Sequence, residues 1–321
     1  GLAMTECIHR PAGRLAARLR PAGALLAASL AVAAAFPAAA QDLEKTELNV
    51  AILPTMDYVP VVIAIEDGLF KDEGLDVKYQ VTTAPASLNG VLGGTYDFAG
   101  VTWFAFLTAY NRGLPLMAAT ELDRGTPGYT SIAVTGDSDI QSLDDLMGKK
   151  VGVLSTNGAC DLTLNDMLRE EGKDYASIEY VALGVPELVS TLMTGGIDAA
   201  CLPEPLRTPA MTKNDLREVV DLFSGPYADM PIVGYSTTTR FRDQNPNTFA
   251  AVQRALTKGL EIAHNNPDRA REVLSVYTRV DPETAKTAVL PAYPVGEGIG
   301  DLSIVADLMD RLDVLDGTVK V

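Results

Sequence analysis

The residues best suited to engage a small molecule fall in short loops that follow runs of strand-like sequence. Asp57 and Tyr58 come first, just after Glu47–Leu53. Tyr58 is suited to stack on or hydrogen-bond a ligand, or else to pack on its own helix. Asp57 can accept from a ligand amine, or cap a helix. Ser87 is read as a helix start, where its hydroxyl and the free N–H groups would meet a polar ligand unless it only caps. Thr102 and Trp103 follow the next strand-like run, and Trp103, the single tryptophan, reads as a cleft wall or as core. Thr156, Asn157, Gly158, Ala159 and Cys160 form a small, polar loop running into a helix. Backbone donors at such a start can hold an anion or a carbonyl. Glu204 sits between Pro203 and Pro205, facing a cleft or merely shaped by the two prolines.

What these loops lack narrows the chemistry. The chain has two histidines, and His9 falls in the amino-terminal segment discussed below. His264 lies beside Asn265, Asn266 and Pro267 and reads as a helix-end residue. Histidine-based metal sites and Ser-His-Asp triads therefore have almost no raw material. We expect no catalytic residue, no metal and no cofactor. Arg124 and Arg207 lie near the loops but not in them, whereas Asp57, Glu204 and Asp161 are acidic. That balance favours a neutral or amine-bearing ligand with a flat ring over an anion.

The loops need a frame, and the sequence supplies an α/β one. Glu47–Leu53 reads as a strand, followed by a polar loop and a short helix begun by Pro60 and ended near Gly68. The stretch AIEDGLFKDEGLDV, residues 64–77, carries the chain from that helix into a second, alternating strand, Leu75–Val81. Its glycines permit turns and its carboxylates read as a solvated face. Strands follow at Tyr96–Val101, Pro115–Thr120, Lys149–Leu154, Ile178–Leu183 and Asp198–Leu202, with helices of about 8–12 residues between most of them. The two halves share a motif, Gly93-Gly-Thr-Tyr-Asp-Phe-Ala99 and Gly195-Gly-Ile-Asp-Ala-Ala200, which marks an architectural repeat. From Asn245 the pattern is helical, with an apolar stripe through Phe249, Val252, Leu256 and Leu260.

Residues 1–41 read as a secretory signal peptide. Arg10, Arg14, Arg18 and Arg20 precede the charge-free run Ala22–Phe36, and Ala38-Ala39-Ala40 offers a cleavage site. Of 26 basic and 42 acidic residues, four and one fall in that segment, so the remainder carries a net charge of −19. Such a chain repels nucleic acid and anionic lipid. Cys7 leaves with the segment. Cys160 and Cys201 either pair in an oxidising compartment or stay two separate buried thiols.

Taken in order, several pieces resemble one family. They are Val59-Pro60, Ala64, Gly68-Leu-Phe70 and Glu73-Gly-Leu-Asp-Val77, then Gly93–Ala99, Leu143-Asp-Asp-Leu-Met-Gly-Lys-Lys-Val-Gly-Val153, and Gly196-Ile-Asp-Ala with Glu204-Pro205. The run from about 48 to 265 is similar to the periplasmic solute-binding proteins of nitrate, sulfonate, taurine and thiamine-pyrimidine ABC importers. The resemblance implies a type II, two-lobed periplasmic binding protein fold. Each lobe is then a mostly parallel sheet flanked by helices, and the ligand lies in the cleft between lobes that close about a hinge. The division that follows is signal peptide 1–41, the first part of lobe I over 42–124, lobe II over 125–244, and a helical segment, 245–321, returning to lobe I. The resemblance also implies a periplasmic monomer that delivers a thiamine-pyrimidine-like heterocycle, or a sulfonate, taurine or nitrate-type anion, to an inner-membrane permease with its ATPase. Ligand sensing for a receptor is the alternative. The same fold serves a pyrimidine synthase, but that enzyme's cysteine-rich motif is missing here, and His264 is far in sequence from the candidate loops.

Overall fold

The computed structural model describes residues 42–296 and 298–315. The signal-peptide reading and the last six residues lie outside them.

Ten strands form two five-stranded sheets. The first is ordered β2 (Asp76–Val81), β1 (Glu47–Ile52), β3 (Phe98–Thr102), β10 (Val233–Thr238) and β4 (Leu116–Glu121). The second is ordered β7 (Glu179–Ala182), β6 (Lys150–Val153), β8 (Ala199–Pro203), β5 (Thr130–Thr135) and β9 (Leu216–Asp221). In each sheet the first three strands are parallel, and one antiparallel strand, β10 or β5, is inserted before the last. Both inserted strands carry a register shift at the same relative place, Tyr235/Ser236 and Ile132/Ala133. The two glycine-aspartate motifs do the same job in each half. Asp97 accepts from the Asn49 N–H and Asp198 from the Lys150 N–H, so each pins the start of the central strand beside it.

The helices cover these sheets. α1 (Val59–Glu66) begins with Pro60 in its first turn and ends before Gly68, whose φ is 76°. α2 (Leu69–Asp72) and Gly74, with φ 83°, lead into β2. The stretch 64–77 is scaffold, as its pattern indicates. Glu66, Asp67 and Asp72 are exposed. α3 spans Ala84–Gly93, α4 Trp103–Asn111, α5 Ala159–Glu170, α6 Val185–Met193 and α7 Arg207–Lys213. α8 (Thr239–Gln244) and α9 (Pro246–Asn265) follow β10, and α9 packs on α1 where Gly259 meets the Pro60 carbonyl. α10 (Pro267–Glu272), α11 (Leu274–Tyr277), α12 (Pro282–Ala285) and α13 (Ser303–Arg311) complete the chain. His264 is in the last turn of α9, its Nδ1 3.0 Å from the Tyr293 carbonyl oxygen. Among the described residues no helix is long and apolar enough to cross a membrane.

Two boundaries differ from the sequence reading. β10 belongs to the first sheet, so the second lobe's sheet ends at Asp221 and does not run to 244. A strand that crosses between lobes takes its place from the open edge of β3, which local sequence does not reveal. The carboxy-terminal segment does not simply return to the first lobe, because α13 packs against both α4 and α5.

Three backbone segments cross between the sheets side by side. Arg124 bridges Pro231 and Ala292, and the Arg124 N–H donates to Ala292 O at 2.8 Å. Gly125 N–H donates to Met230 O at 2.8 Å.

Candidate functional site

A cavity of about 300 Å³ opens where the carboxyl ends of the parallel strands of both sheets face each other. Ligands in open α/β sheets collect at that end. Leu53, Thr55, Asp57 and Tyr58 come from the loop after β1, Gly100 to Thr102 from the end of β3, and Ala84, Pro85, Leu88 and Asn89 from the first half of α3. The second lobe contributes Tyr129, Ser155, Thr156, Ala159 and Cys160, and Phe223, Ile232 and Val233 complete the wall. The walls are mainly apolar. Asp57 is the only charged side chain among the lining residues, and no lysine, arginine or histidine is among them.

Six of the eleven residues singled out from the sequence line this cavity: Asp57, Tyr58, Thr102, Thr156, Ala159 and Cys160. Tyr58 is seated by Gly100, since any Cβ there would collide with the Tyr58 ring. Thr102 caps α4 through the Ala105 N–H at 3.2 Å and still borders the cavity. Cys160 is joined to Cys201 by a disulfide, so the first turn of α5 is tied to β8 and the separate-thiol reading is set aside.

Five are not on the cavity wall. Ser87 is not at a helix start, because Thr83 caps α3 through the Ala86 N–H and Pro85 occupies the first turn. Ser87 lies one turn further in, fully buried. Trp103 is core, packed edge-on to Phe106 and against Gly234, where a Cβ would come within 2.7 Å of the indole. The α5 start is already filled. Asp161 accepts from the Asn157 N–H at 2.6 Å and the Gly158 N–H at 2.8 Å, so neither residue offers its donor to a ligand. Burial lifts the Asp161 carboxyl to about 6 against the pull of those N–H groups.

Glu204 is fully buried and works as a structural clamp. Its carboxylate accepts from the Thr208 hydroxyl, the Thr208 N–H and the Val289 N–H. Its carbonyl accepts from the Met56 N–H at 3.1 Å, joining the loops after β8 and β1. Burial raises its carboxyl above the usual range.

Sequence reasoning missed Tyr129. Its ring borders the cavity, it is 1% exposed, and its hydroxyl has no partner among the described residues. A buried phenol lacking a partner is costly unless something supplies one. Tyr277 and Tyr293 brace the loop after β1 by donating to Thr55 O at 2.6 Å and Met56 O at 2.9 Å. The Thr55 hydroxyl donates to the Asp57 carboxylate. No local pattern marks these tyrosines, whose partners lie more than 220 residues away.

Known proteins show the same frame. A family model described as NMT1/THI5 like matches residues 55–270. A formylaminopyrimidine-binding protein of Halalkalibacterium halodurans is 25% identical over 240 residues, covering 72% of this chain and 70% of that protein. A 4-amino-5-hydroxymethyl-2-methylpyrimidine phosphate synthase of Saccharomyces cerevisiae, THI11, is 24% identical over 156 residues, 47% of this chain and 45% of that protein. The chain thus spans less than half of that enzyme. Among solved structures, the periplasmic aliphatic sulphonate binding protein SsuA of Escherichia coli superposes with a TM-score of 0.65 at 16% identity, covering 86% of this chain and 95% of that one. At that identity the likeness shows the fold alone, the two-sheet fold of periplasmic binding proteins.

Proposed function

The chain belongs to the NMT1/THI5-like family, and on that premise we propose that it is the extracytoplasmic solute-binding component of an ABC importer. It takes a small organic ligand between its lobes, closes about the three-segment hinge, and presents the complex to a permease driven by an ATPase. Export to the periplasm rests on the reading of residues 1–41. A single chain suffices, because the lobes must open and close freely.

The observation that carries the ligand class is the cavity's polar inventory. It offers one carboxylate, an unpartnered phenol and several hydroxyls among apolar walls, with no cation among the lining residues. The start of α5, whose backbone donors would favour an anion, is filled by Asp161. We therefore favour a neutral or amine-bearing flat heterocycle over a sulfonate, taurine or nitrate-type anion. The aminopyrimidine named for the Halalkalibacterium relative is a ligand of that class.

We read a binding protein, not an enzyme. The yeast relative's name is that of a synthase, but Cys160 is held in its disulfide and His264 packs on Tyr293. Neither is placed to act on a bound molecule.

A thermal-shift panel tests this reading. It would hold aminopyrimidines, taurine, alkanesulfonates, nitrate and aromatic carboxylates. A ligand at about 100 times its dissociation constant adds about 2.7 kcal/mol, which moves the midpoint by several degrees. A shift with an aminopyrimidine is expected. A shift confined to the anions would overturn the ligand class, and no shift with any compound would count against solute binding.

A further inference from the structure

A groove of about 590 Å³ backs onto the same loops that wall the cavity. In the loop after β1, Leu53 and Thr55 line the cavity and Pro54 between them lines the groove. After β8, Pro203 lines the cavity and Pro205 lines the groove. The two loops are joined by the bond from the Met56 N–H to Glu204 O. Val81, at the end of β2, stands on one side of the groove. Pro186 in the first turn of α6 and Pro209 in α7 stand on the other, and Tyr277–Asp281 completes the lining. Sites for small molecules commonly enclose roughly 300–1,000 Å³ behind mostly apolar walls with a few polar groups.

The polar side chains of this groove are few, and all but one are spent. Tyr277 donates its hydroxyl to Thr55 O at 2.6 Å. Thr278 donates to Leu274 O at 2.5 Å and accepts from the Val280 N–H at 3.3 Å. Asp281 caps α12 through the Thr284 N–H at 2.9 Å and pairs with Lys213 Nζ at 2.6 Å, which cancels one charge of each sign. Arg279 is exposed and makes no hydrogen bond or ion pair among the described residues. It is therefore the one uncompensated charge on an otherwise apolar or satisfied lining, in a chain with 42 acidic against 26 basic residues. The cavity has the opposite character, one carboxylate and no cation. Apolar walls reward a molecule that brings an apolar body, and a free guanidinium rewards a carboxylate, which it can meet with two parallel N–H donors.

We propose that the groove is a second small-molecule site, which takes an amphipathic carboxylate with its apolar body against Val81, Pro186 and Pro209 and its head group on Arg279. The site is separate from the cavity and independent of what the cavity binds.

Calorimetric titration of the purified protein with octanoate and octylamine tests it, since the two share an apolar chain and differ in head-group charge. One octanoate per chain is expected, bound at least about tenfold more tightly than octylamine. Arg279→Glu should erase or reverse that order. Val81→Trp should fill part of the groove and weaken octanoate by about tenfold. Val81 is 49% exposed and Arg279 is exposed, so neither substitution enters the core. Octylamine binding as well as octanoate in the parent would overturn the head-group assignment. Octanoate binding that survives both substitutions would lie elsewhere and overturn the groove, and no octanoate binding would overturn the site altogether. The titration contains no cavity ligand, so failure of the solute-binding reading leaves its result intact.

Discussion

Tyr58 and Gly100 show how closely the cavity is built. The Tyr58 ring occupies the space over Gly100 that a Cβ would need. Gly100→Ala should displace the ring and destabilise the protein by about 1–3 kcal/mol, the usual cost of overpacking. Denaturant unfolding measures the loss, and ligand affinity should fall with it. Trp103 behaves differently from a cleft residue. It is fully buried against Phe106 and Gly234, so Trp103→Ala should cost about 3–5 kcal/mol of stability. Equilibrium unfolding would contradict its core placement if the variant were as stable as the parent. Asp161 supplies a pH signature. Its folded value of about 6 lies above its unfolded value of 3.8. Its contribution is therefore fully present below about pH 4 and is lost as pH rises through about 6, at up to about 1.4 kcal/mol per unit. The stability difference between parent and Asp161→Asn should change across that window and stay level above it. A difference that is level throughout would contradict the raised value.

Elements carried most of what the sequence could say. Alternation and glycine punctuation located β1, β2 and α1 closely, and the paired glycine-aspartate motifs announced the repeat that Asp97 and Asp198 realise. Local pattern failed where a residue's role depends on a distant partner. Ser87 reads as a cap only until Thr83 and Pro85 are recognised as the true start of α3. Glu204 reads as a cleft acid, yet it is satisfied by Thr208 and by Val289, 85 residues away. Tyr129 carries no local signal, because its missing hydrogen bond is a tertiary property. The disulfide makes an element-scale prediction. It closes a separation of 41 residues between α5 and β8. Replacing Cys160 and Cys201 together with serine should lower stability by about 2–4 kcal/mol. Affinity should fall as well, since Cys160 borders the cavity. Unfolding midpoints with and without reductant check this, and equal midpoints would contradict it.

At the scale of the whole molecule, two near-symmetric sheets are joined by a narrow ribbon and braced from outside by α13. Asp166 on α5 is fully buried and accepts from Arg311 Nη2 at 2.7 Å and from the Tyr227 hydroxyl at 3.0 Å. Because α13 also packs on α4, this brace touches both lobes. The clamp from Met56 N–H to Glu204 O adds a second tie beside the cavity. The most direct measurement is calorimetric titration of the parent and of Asp57→Asn with the best compound from the thermal-shift panel. The account predicts one molecule bound per chain of an amine-bearing or neutral heterocycle, with affinity sharply reduced in Asp57→Asn. Unchanged affinity in Asp57→Asn, or binding restricted to sulfonates and nitrate, would contradict it.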